Sequence, residues 1–250
     1  GREDGIMIPI PQYPLYSASI ELFGGTQIPY ELDEERNWGM NVLDLEDSYQ
    51  NAKKNGKEIR ALVVINPGNP TGQIMSRENM EQVLEWCHRR QVVLMADEVY
   101  QENVYIPNKK FHSFRKVLHE MGRTFEDEVQ LLSFHSVSKG FLGECGRRGG
   151  YVEISNNIPQ EVVDELYKMS SVNLCPNVDG QLTVGLMVNP PKQGDESYEQ
   201  YLNEKNTILE SLGRRAKKLV GIKSIKFLVR FAIIAQNNRF LAAYSLALNN

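Results

Sequence analysis

Three apolar segments of this 250-residue chain each end directly in a polar motif. They are residues 61–65, 92–96 and 129–134, and stretches with helical periodicity lie between strand-like segments along the chain. Short apolar segments that alternate with helices indicate a mostly parallel β-sheet that is covered by helices on both faces. In such sheets, ligand sites collect at the carboxyl ends of the strands. The alternation therefore predicts a three-layer α/β fold with a site at one edge of the sheet.

The polar motifs at these segment ends carry reactive side chains. Asn69 lies in Asn-Pro-Gly-Asn-Pro-Thr-Gly, Asp97 opens Asp-Glu-Val-Tyr, and Lys139 lies in Ser-Val-Ser-Lys-Gly. A lysine between hydroxyls and a glycine-rich turn with two arginines is typical of a Schiff-base lysine beside a phosphate site. Each motif is weak alone, because a lysine is usually a solvated surface group and an asparagine or aspartate commonly shapes a turn.

Composition excludes several classes of function. The net charge of −4, without a basic stripe, argues against nucleic-acid binding. The three cysteines have neither metal-ligand spacing nor a disulfide pattern, which favours a reducing compartment, and the four histidines show no paired metal spacing. We therefore predict no metal site. No apolar run approaches the ~20 residues that span a bilayer, so no membrane association is expected. The N-terminus lacks both methionine and a signal pattern, and we expect the chain to be part of a longer protein.

Taken together and in this order, the three motifs resemble those of the fold type I aminotransferases, which depend on pyridoxal 5'-phosphate (PLP). Within that family, the run Gly-Glu-Cys-Gly-Arg-Arg-Gly-Gly-Tyr (143–151) is most similar to the alanine aminotransferases. The resemblance covers about residues 1–218. It implies a PLP-binding large domain over 1–197 whose N-terminal part is missing, a linker helix over 198–220, and an atypical tail over 221–250 in place of a complete small domain.

The resemblance assigns roles around the cofactor ring. Lys139 is expected to bond the cofactor and to transfer the substrate proton as general base and acid. Asp97 is expected to hold the proton on the pyridine nitrogen, which keeps the ring an electron sink. Tyr100 and Asn69 are expected to donate hydrogen bonds to the phenolic oxygen from its two sides.

The cofactor phosphate needs fixed donors. Ser136 and Ser138 flank the lysine, and an arginine would give a bidentate grip. Arg147 and Arg148 compete for that role. The Arg-Gly-Gly-Tyr pattern of the resembled family favours Arg148, and Arg147 stays an alternative.

Two further residues are expected to contact substrate by resemblance. Tyr13 lies in Pro-Gln-Tyr-Pro-Leu-Tyr (11–16), where the family has an aromatic residue on the substrate side of the cofactor. Tyr16 in the same segment is expected to cap or pack the following helix. Asn173 is a weaker candidate for the substrate pocket.

The activity that the resemblance implies is transfer of an amino group from L-alanine to 2-oxoglutarate by a ping-pong reaction. The complete enzyme is expected to be a homodimer in the cytoplasm or the mitochondrial matrix. The family's first phosphate loop, ring-stacking aromatic and carboxylate-binding arginine have no counterpart here, so we expect the 250 residues alone to be inactive. Two alternatives stay open: a non-catalytic remnant, and a different PLP-dependent transaminase or lyase.

Overall fold

A computed structural model of the chain describes residues 1–220, which form a seven-stranded sheet with helices on both faces. The strands are β1 (Asp4–Ile10), β2 (Thr26–Asp33), β3 (Gly39–Met40), β4 (Glu58–Ile65), β5 (Val93–Asp97), β6 (Leu131–Ser136) and β7 (Gly150–Ile154). The helices are α1 (Leu15–Leu22), α2 (Val42–Lys54), α3 (Arg77–Arg90), α4 (Phe114–Glu120), α5 (Arg123–Glu128), α6 (Gln160–Val172), α7 (Val178–Val188) and α8 (Tyr198–Val220). The predicted α/β class is confirmed.

The strand order is β3-β2-β1-β4-β5-β6-β7. The five inner strands, β2, β1, β4, β5 and β6, run parallel. Each outer strand, β3 and β7, is antiparallel to its neighbour. The parallel centre explains why β4 reads as a continuous apolar run, since a strand covered on both faces has no solvent side.

The two faces of the sheet are packed by different helices. Leu62 and Val64 of β4 lie in a large cluster with side chains of α2, α3 and α4. Val63 and Ile65 lie on the opposite face, where side chains of α1 pack against them. Successive residues of a strand alternate between faces, so this single strand contributes to both layers of the core.

The sequence predicted most of these elements but missed three. The sequence pattern predicts strands around residues 6–9, 26–30, 59–65, 92–96, 129–134 and 150–152, and helices over 16–23, 42–55, 76–90, 159–169, 177–188 and 198–218, and all twelve are present. Ser76 caps α3 by accepting a hydrogen bond from the Asn79 amide at 3.2 Å. The elements β3, α4 and α5 were not predicted, because two to seven residues are too few to show a periodic pattern. Within residues 1–220, no helix is both long and apolar enough to span a bilayer. The predicted tail over 221–250 lies outside the described residues.

Backbone hydrogen bonds align the ends of the three central strands. The Asn66 amide, just past β4, donates to the Asp97 carbonyl at 2.9 Å. The Glu98 amide, just past β5, donates to the Phe134 carbonyl at 3.2 Å. The motifs that follow β4, β5 and β6 therefore begin at the same edge of the sheet, as the sequence predicted.

Glu98 fixes the chain where it leaves β5. Its side chain is 5% exposed, and its Oε1 accepts a hydrogen bond from the Phe114 amide at 2.7 Å, at the start of α4. Burial raises the pKa of this carboxyl group to about 7, with the Phe114 hydrogen bond acting in the opposite direction. A folded-state pKa above the unfolded value means that the folded chain binds the extra proton.

We predict that Glu98 makes the chain less stable as pH rises from about 5 to 7. The protonated Glu98 contributes its full stabilisation below the pKa of the unfolded state, and this stabilisation is lost as pH rises through the pKa of the folded state. The free energy of unfolding then falls by up to about 1.4 kcal/mol per pH unit. Glu98→Gln keeps the acceptor for the Phe114 amide, so it should remove this slope and be more stable than wild type at pH 8. Urea unfolding at several pH values measures both effects, with exposed Glu161→Gln as the control. An unchanged slope in Glu98→Gln would contradict the prediction.

Candidate active site

Asp97 ends β5 and is held from two sides. Its Oδ2 accepts a hydrogen bond from the Tyr16 hydroxyl at 2.7 Å, and its Oδ1 accepts one from the Val99 amide at 3.3 Å. Burial raises the pKa of Tyr16, and the charge and hydrogen bond of Asp97 raise it further. The tyrosine hydroxyl therefore stays protonated and remains a donor, which fixes the orientation of the carboxylate.

Lys139 lies in the loop after β6, with its side chain exposed and its Nζ 5.5 Å from the centre of the Tyr100 ring. The loop is anchored by Val137, which is fully buried. The Val137 amide donates to the Gly149 carbonyl at 3.1 Å, and the Gly143 amide donates to the Lys139 carbonyl at 3.2 Å. An accessible amine on an anchored loop is suited to form a bond with a carbonyl compound.

Asn69 lies in the turn that follows β4. The Gly68 amide donates to the Gln73 carbonyl at 2.9 Å, and the Gly72 amide donates to the Gly68 carbonyl at 2.9 Å. These bonds close the turn and leave Asn69 half-buried, on the wall of a small cleft that Tyr30 and Trp38 also line.

The predicted phosphate residues lie on both sides of the lysine loop. The Ser138 amide donates to the Ser136 Oγ at 3.3 Å, so the two serines share one turn. Arg147 forms an ion pair with Glu144 at 3.3 Å, and Arg148 donates to the Cys145 carbonyl at 2.7 Å. Both arginines are exposed. This arrangement does not decide between them, and their phosphate role stays a prediction.

Close packing against α7 requires a glycine directly after the arginine pair. A Cβ added to Gly149 would lie 2.7 Å from the carbonyl oxygen of Gly180 in α7. The α7 helix is thus in close contact with the arginine turn, and Asn177 at its start donates to the Arg147 carbonyl at 3.1 Å.

The two predicted substrate residues lie on the surface. Tyr13 is 48% exposed just before α1, and Asn173 is exposed where α6 ends. Both assignments stay predictions. The tyrosine that contacts Asp97 is instead Tyr16, expected from the sequence only to cap or pack its helix. Its position one helical turn beyond Tyr13 gives no sign of a partner 81 residues away.

His135 lies in β6, just before the lysine loop. Its Nε2 lies 3.1 Å from the Nε2 of Gln101, and burial lowers the pKa of its ring. We interpret it as a packing residue beside the motif rather than a catalytic one. In the described part of the chain, no three histidine, cysteine or acidic side chains are grouped so that they could hold a metal ion.

Comparison with known proteins identifies the family. The family "Aminotransferase class I and II" matches residues 1–241. The chain belongs to this family. It is 56% identical over 218 residues to alanine aminotransferase 1, mitochondrial, of Arabidopsis thaliana, covering 87% of the chain and 40% of that protein. It is 54% identical over 230 residues to glutamate–glyoxylate aminotransferase 1 of the same plant, covering 92% of the chain and 48% of that protein.

Solved structures agree on the fold. The alanine aminotransferase from Pyrococcus furiosus superposes with a TM-score of 0.69 at 22% identity, covering 86% of this chain and 48% of that one. An aminotransferase from Escherichia coli superposes with a TM-score of 0.65 at 25% identity, covering 77% of this chain and 44% of that one. The chain thus spans about half the length of the relatives and structures that it matches, and its neighbours share the fold type I architecture.

The residues at these strand ends fit PLP. An oriented carboxylate suits a protonated pyridine nitrogen, and an accessible amine suits the cofactor aldehyde. Asp97 and Lys139 supply these groups at the ends of neighbouring strands, and Tyr100 lies between them in the chain with its ring facing the amine.

We predict that the Tyr16 hydroxyl stabilises the folded chain through Asp97. A partly buried hydrogen bond to a charged group contributes about 1.5–3 kcal/mol, so Tyr16→Phe should lower the free energy of unfolding by that amount. Tyr13→Phe, three residues away and on the surface, should change it by less than about 0.5 kcal/mol. Urea unfolding of both variants measures the difference. A double-mutant cycle with Asp97→Asn tests the partner, and simple additivity would contradict the prediction.

Proposed function

We propose that this chain is the cofactor-binding part of a PLP-dependent enzyme that transfers the amino group of L-alanine to 2-oxoglutarate, giving pyruvate and L-glutamate. The observation that carries the proposal is the placement of Lys139 and the Tyr16-oriented Asp97 carboxylate at neighbouring strand ends. The high identity to proteins named alanine aminotransferase supports the choice of substrate.

Bound PLP supplies an electron sink that stabilises negative charge at the substrate α-carbon. Asp97 would hold a proton at the pyridine nitrogen, since a fixed carboxylate favours the charged form of a nitrogen base. The Tyr16 hydroxyl and the Val99 amide keep this carboxylate in one orientation. Tyr100 and Asn69 would donate hydrogen bonds to the phenolic oxygen of the bound cofactor.

Lys139 has two tasks in this proposal. Its amine would hold the cofactor through the cofactor aldehyde, and in its free form it would move the proton of the substrate α-carbon as general base and acid. The 5.5 Å approach of Nζ to the Tyr100 ring supports an amine aimed at the cofactor side of the strand ends.

Phosphate binding is assigned to the turn around the lysine. The Ser136 and Ser138 hydroxyls and a guanidinium would bind the phosphate oxygens, with Arg148 preferred and Arg147 the alternative. Exposure of both arginines is consistent with either, because a rotation about side-chain bonds would free each from its present partner. Tyr13 and Asn173 are proposed to contact substrate.

A second reaction is favoured by a specific observation. The glutamate–glyoxylate aminotransferase matches slightly more of the chain than the alanine aminotransferases do. Transfer of the amino group of L-glutamate to glyoxylate is therefore the rival reaction. Parallel assays of L-alanine with 2-oxoglutarate and of L-glutamate with glyoxylate, using the product of the complete reading frame that encodes these residues, would separate the two.

We further propose a homodimer located in the mitochondrial matrix. Relatives whose names include "mitochondrial" support the location. Large apolar side chains on α6 and α7, such as Val172 at 81% and Leu182 at 62% exposure, are consistent with a covered surface in the assembled enzyme. Sedimentation of the purified protein tests the dimer.

We predict that PLP bonds to Lys139. Incubation of the chain with PLP, reduction by borohydride and peptide mapping should locate the adduct at this residue. Lys139→Arg should lose the adduct while keeping the charge, and Lys168→Arg, at an exposed lysine of α6, should retain it. An adduct that maps to another lysine in the wild-type chain would refute the assignment.

We predict that Asp97→Asn leaves the fold intact and lowers the transamination rate by at least about a hundredfold. The loss of one charged contact in a site shielded from water costs roughly 3 kcal/mol in the transition state. Pyruvate formation by the complete reading-frame product measures the effect, with exposed Asp127→Asn as the matched control. Near-normal turnover would mean that another group holds the ring nitrogen.

A further inference from the structure

The peptide group next to Lys139 is held by a side chain from a different loop. Asn103, in the loop after β5, accepts a hydrogen bond from the Gly140 amide at 3.0 Å through its Oδ1. Its Nδ2 donates to the Gly140 carbonyl at 3.3 Å. One asparagine side chain thus binds both polar groups of the residue that follows the lysine.

Gly140 needs such a restraint. Its φ of +70° lies in the left-handed region. Glycine adopts this conformation at little cost, but it adopts many other backbone conformations as readily. A Cβ at this position would also lie 2.9 Å from the Glu102 Oε2, so a larger residue could not replace the glycine without moving its neighbour. The backbone beside the lysine therefore gains no packing from a side chain at residue 140, and a contact from another loop adds to the hydrogen bonds within its own.

Asn103 is itself anchored close to the aromatic ring that Lys139 faces. Its backbone amide donates to the Tyr100 carbonyl at 2.8 Å, and its Nδ2 also donates to the Tyr105 hydroxyl at 2.8 Å. The same short turn thus provides the ring over which the Lys139 amine lies and the amide that holds Gly140.

Helix α8 covers this turn from outside. Lys205 of α8 forms an ion pair with Glu102 at 2.7 Å, and its Nζ lies 4.8 Å from the centre of the Phe141 ring. Phe141 packs against Tyr201 of the same helix, with ring centres 6.0 Å apart. The loops that contain Lys139 and Asn103 are therefore joined to each other and to α8.

We propose that Asn103 is a positioning residue for Lys139. By binding both polar groups of Gly140, it holds the lysine loop so that the amine points over Tyr100 toward the strand ends. This inference rests on the function proposed for Lys139, but the restraint on the loop exists without cofactor and is tested without it.

The first test is the reactivity of Lys139 in the cofactor-free chain. Wild type, Asn103→Ala and Asn103→Asp are acetylated with limiting acetic anhydride, and mass spectrometry gives the labelling of Lys139 relative to Lys168. Loss of the Gly140 contacts should change this ratio by about threefold or more in Asn103→Ala. Asn103→Asp keeps the acceptor for the Gly140 amide and loses the donor, so it should fall between the two.

Asn55→Ala is the matched control, because Asn55 also makes side-chain hydrogen bonds, to Asn51 at the end of α2, away from the site. Its ratio should equal that of wild type. Should circular dichroism show that Asn103→Ala is unfolded, Asn103→Asp decides the question. Labelling of Lys139 in a folded Asn103 variant that matches wild type would overturn the proposal.

The second test adds PLP and follows the absorbance of the Lys139 adduct as a function of pH. A displaced amine should shift the midpoint by about half a pH unit or more in Asn103→Ala and leave it unchanged in Asn55→Ala. If wild type forms no adduct at Lys139, the proposed function fails, whatever the labelling shows. If wild type forms the adduct and neither its midpoint nor the labelling ratio responds to Asn103, the positioning role fails alone.

Discussion

The site depends on the hydrogen-bonded alignment of β4, β5 and β6. Because these strands are parallel and in register at their ends, the bonds from the Asn66 amide to Asp97 and from the Glu98 amide to Phe134 bring three distant motifs to one edge. The strands interact through a core whose residues Leu62, Val64 and Leu94 are essentially inaccessible to water. Close packing of such a core leaves little freedom for the strand ends. The positions of the reactive side chains thus depend on apolar core residues that take no part in the chemistry.

Strand alternation separates two neighbouring carboxyl groups into different tasks. Asp97 points to the α1 face, where the Tyr16 hydroxyl orients it. Glu98 is the next residue and is buried. It accepts a hydrogen bond from the Phe114 amide, and burial raises its pKa to about 7. Two adjacent residues therefore have different tasks: Asp97 is oriented by Tyr16, and Glu98 binds the start of α4.

The sequence was sufficient for the layers and for the edge that carries the site, because both follow from local signals: apolar runs, helical periodicity and polar motifs at strand ends. It was insufficient for contacts that depend on tertiary packing. Tyr16 reaches Asp97 across 81 residues, and Asn103 reaches Gly140 across 37, and neither pair has a local pattern. The short helix α4 was missed for a related reason. Its seven residues become helical because Phe114, Val117 and Leu118 are buried together, which a short window cannot reveal.

The lysine loop combines freedom and restraint in adjacent residues. Gly140 permits the left-handed turn that lets the chain leave β6 toward the arginines, and it contributes no side-chain contact to the turn. Asn103 and the α8 residue Lys205 add restraint through the turn after β5. Since Asp97 ends β5 and this turn follows it, segment 97–103 contains the proposed ring-nitrogen partner Asp97 and also the side chain of Asn103, which binds the residue after Lys139. The positions of the proposed carboxylate and the proposed amine therefore both depend on contacts of this one segment.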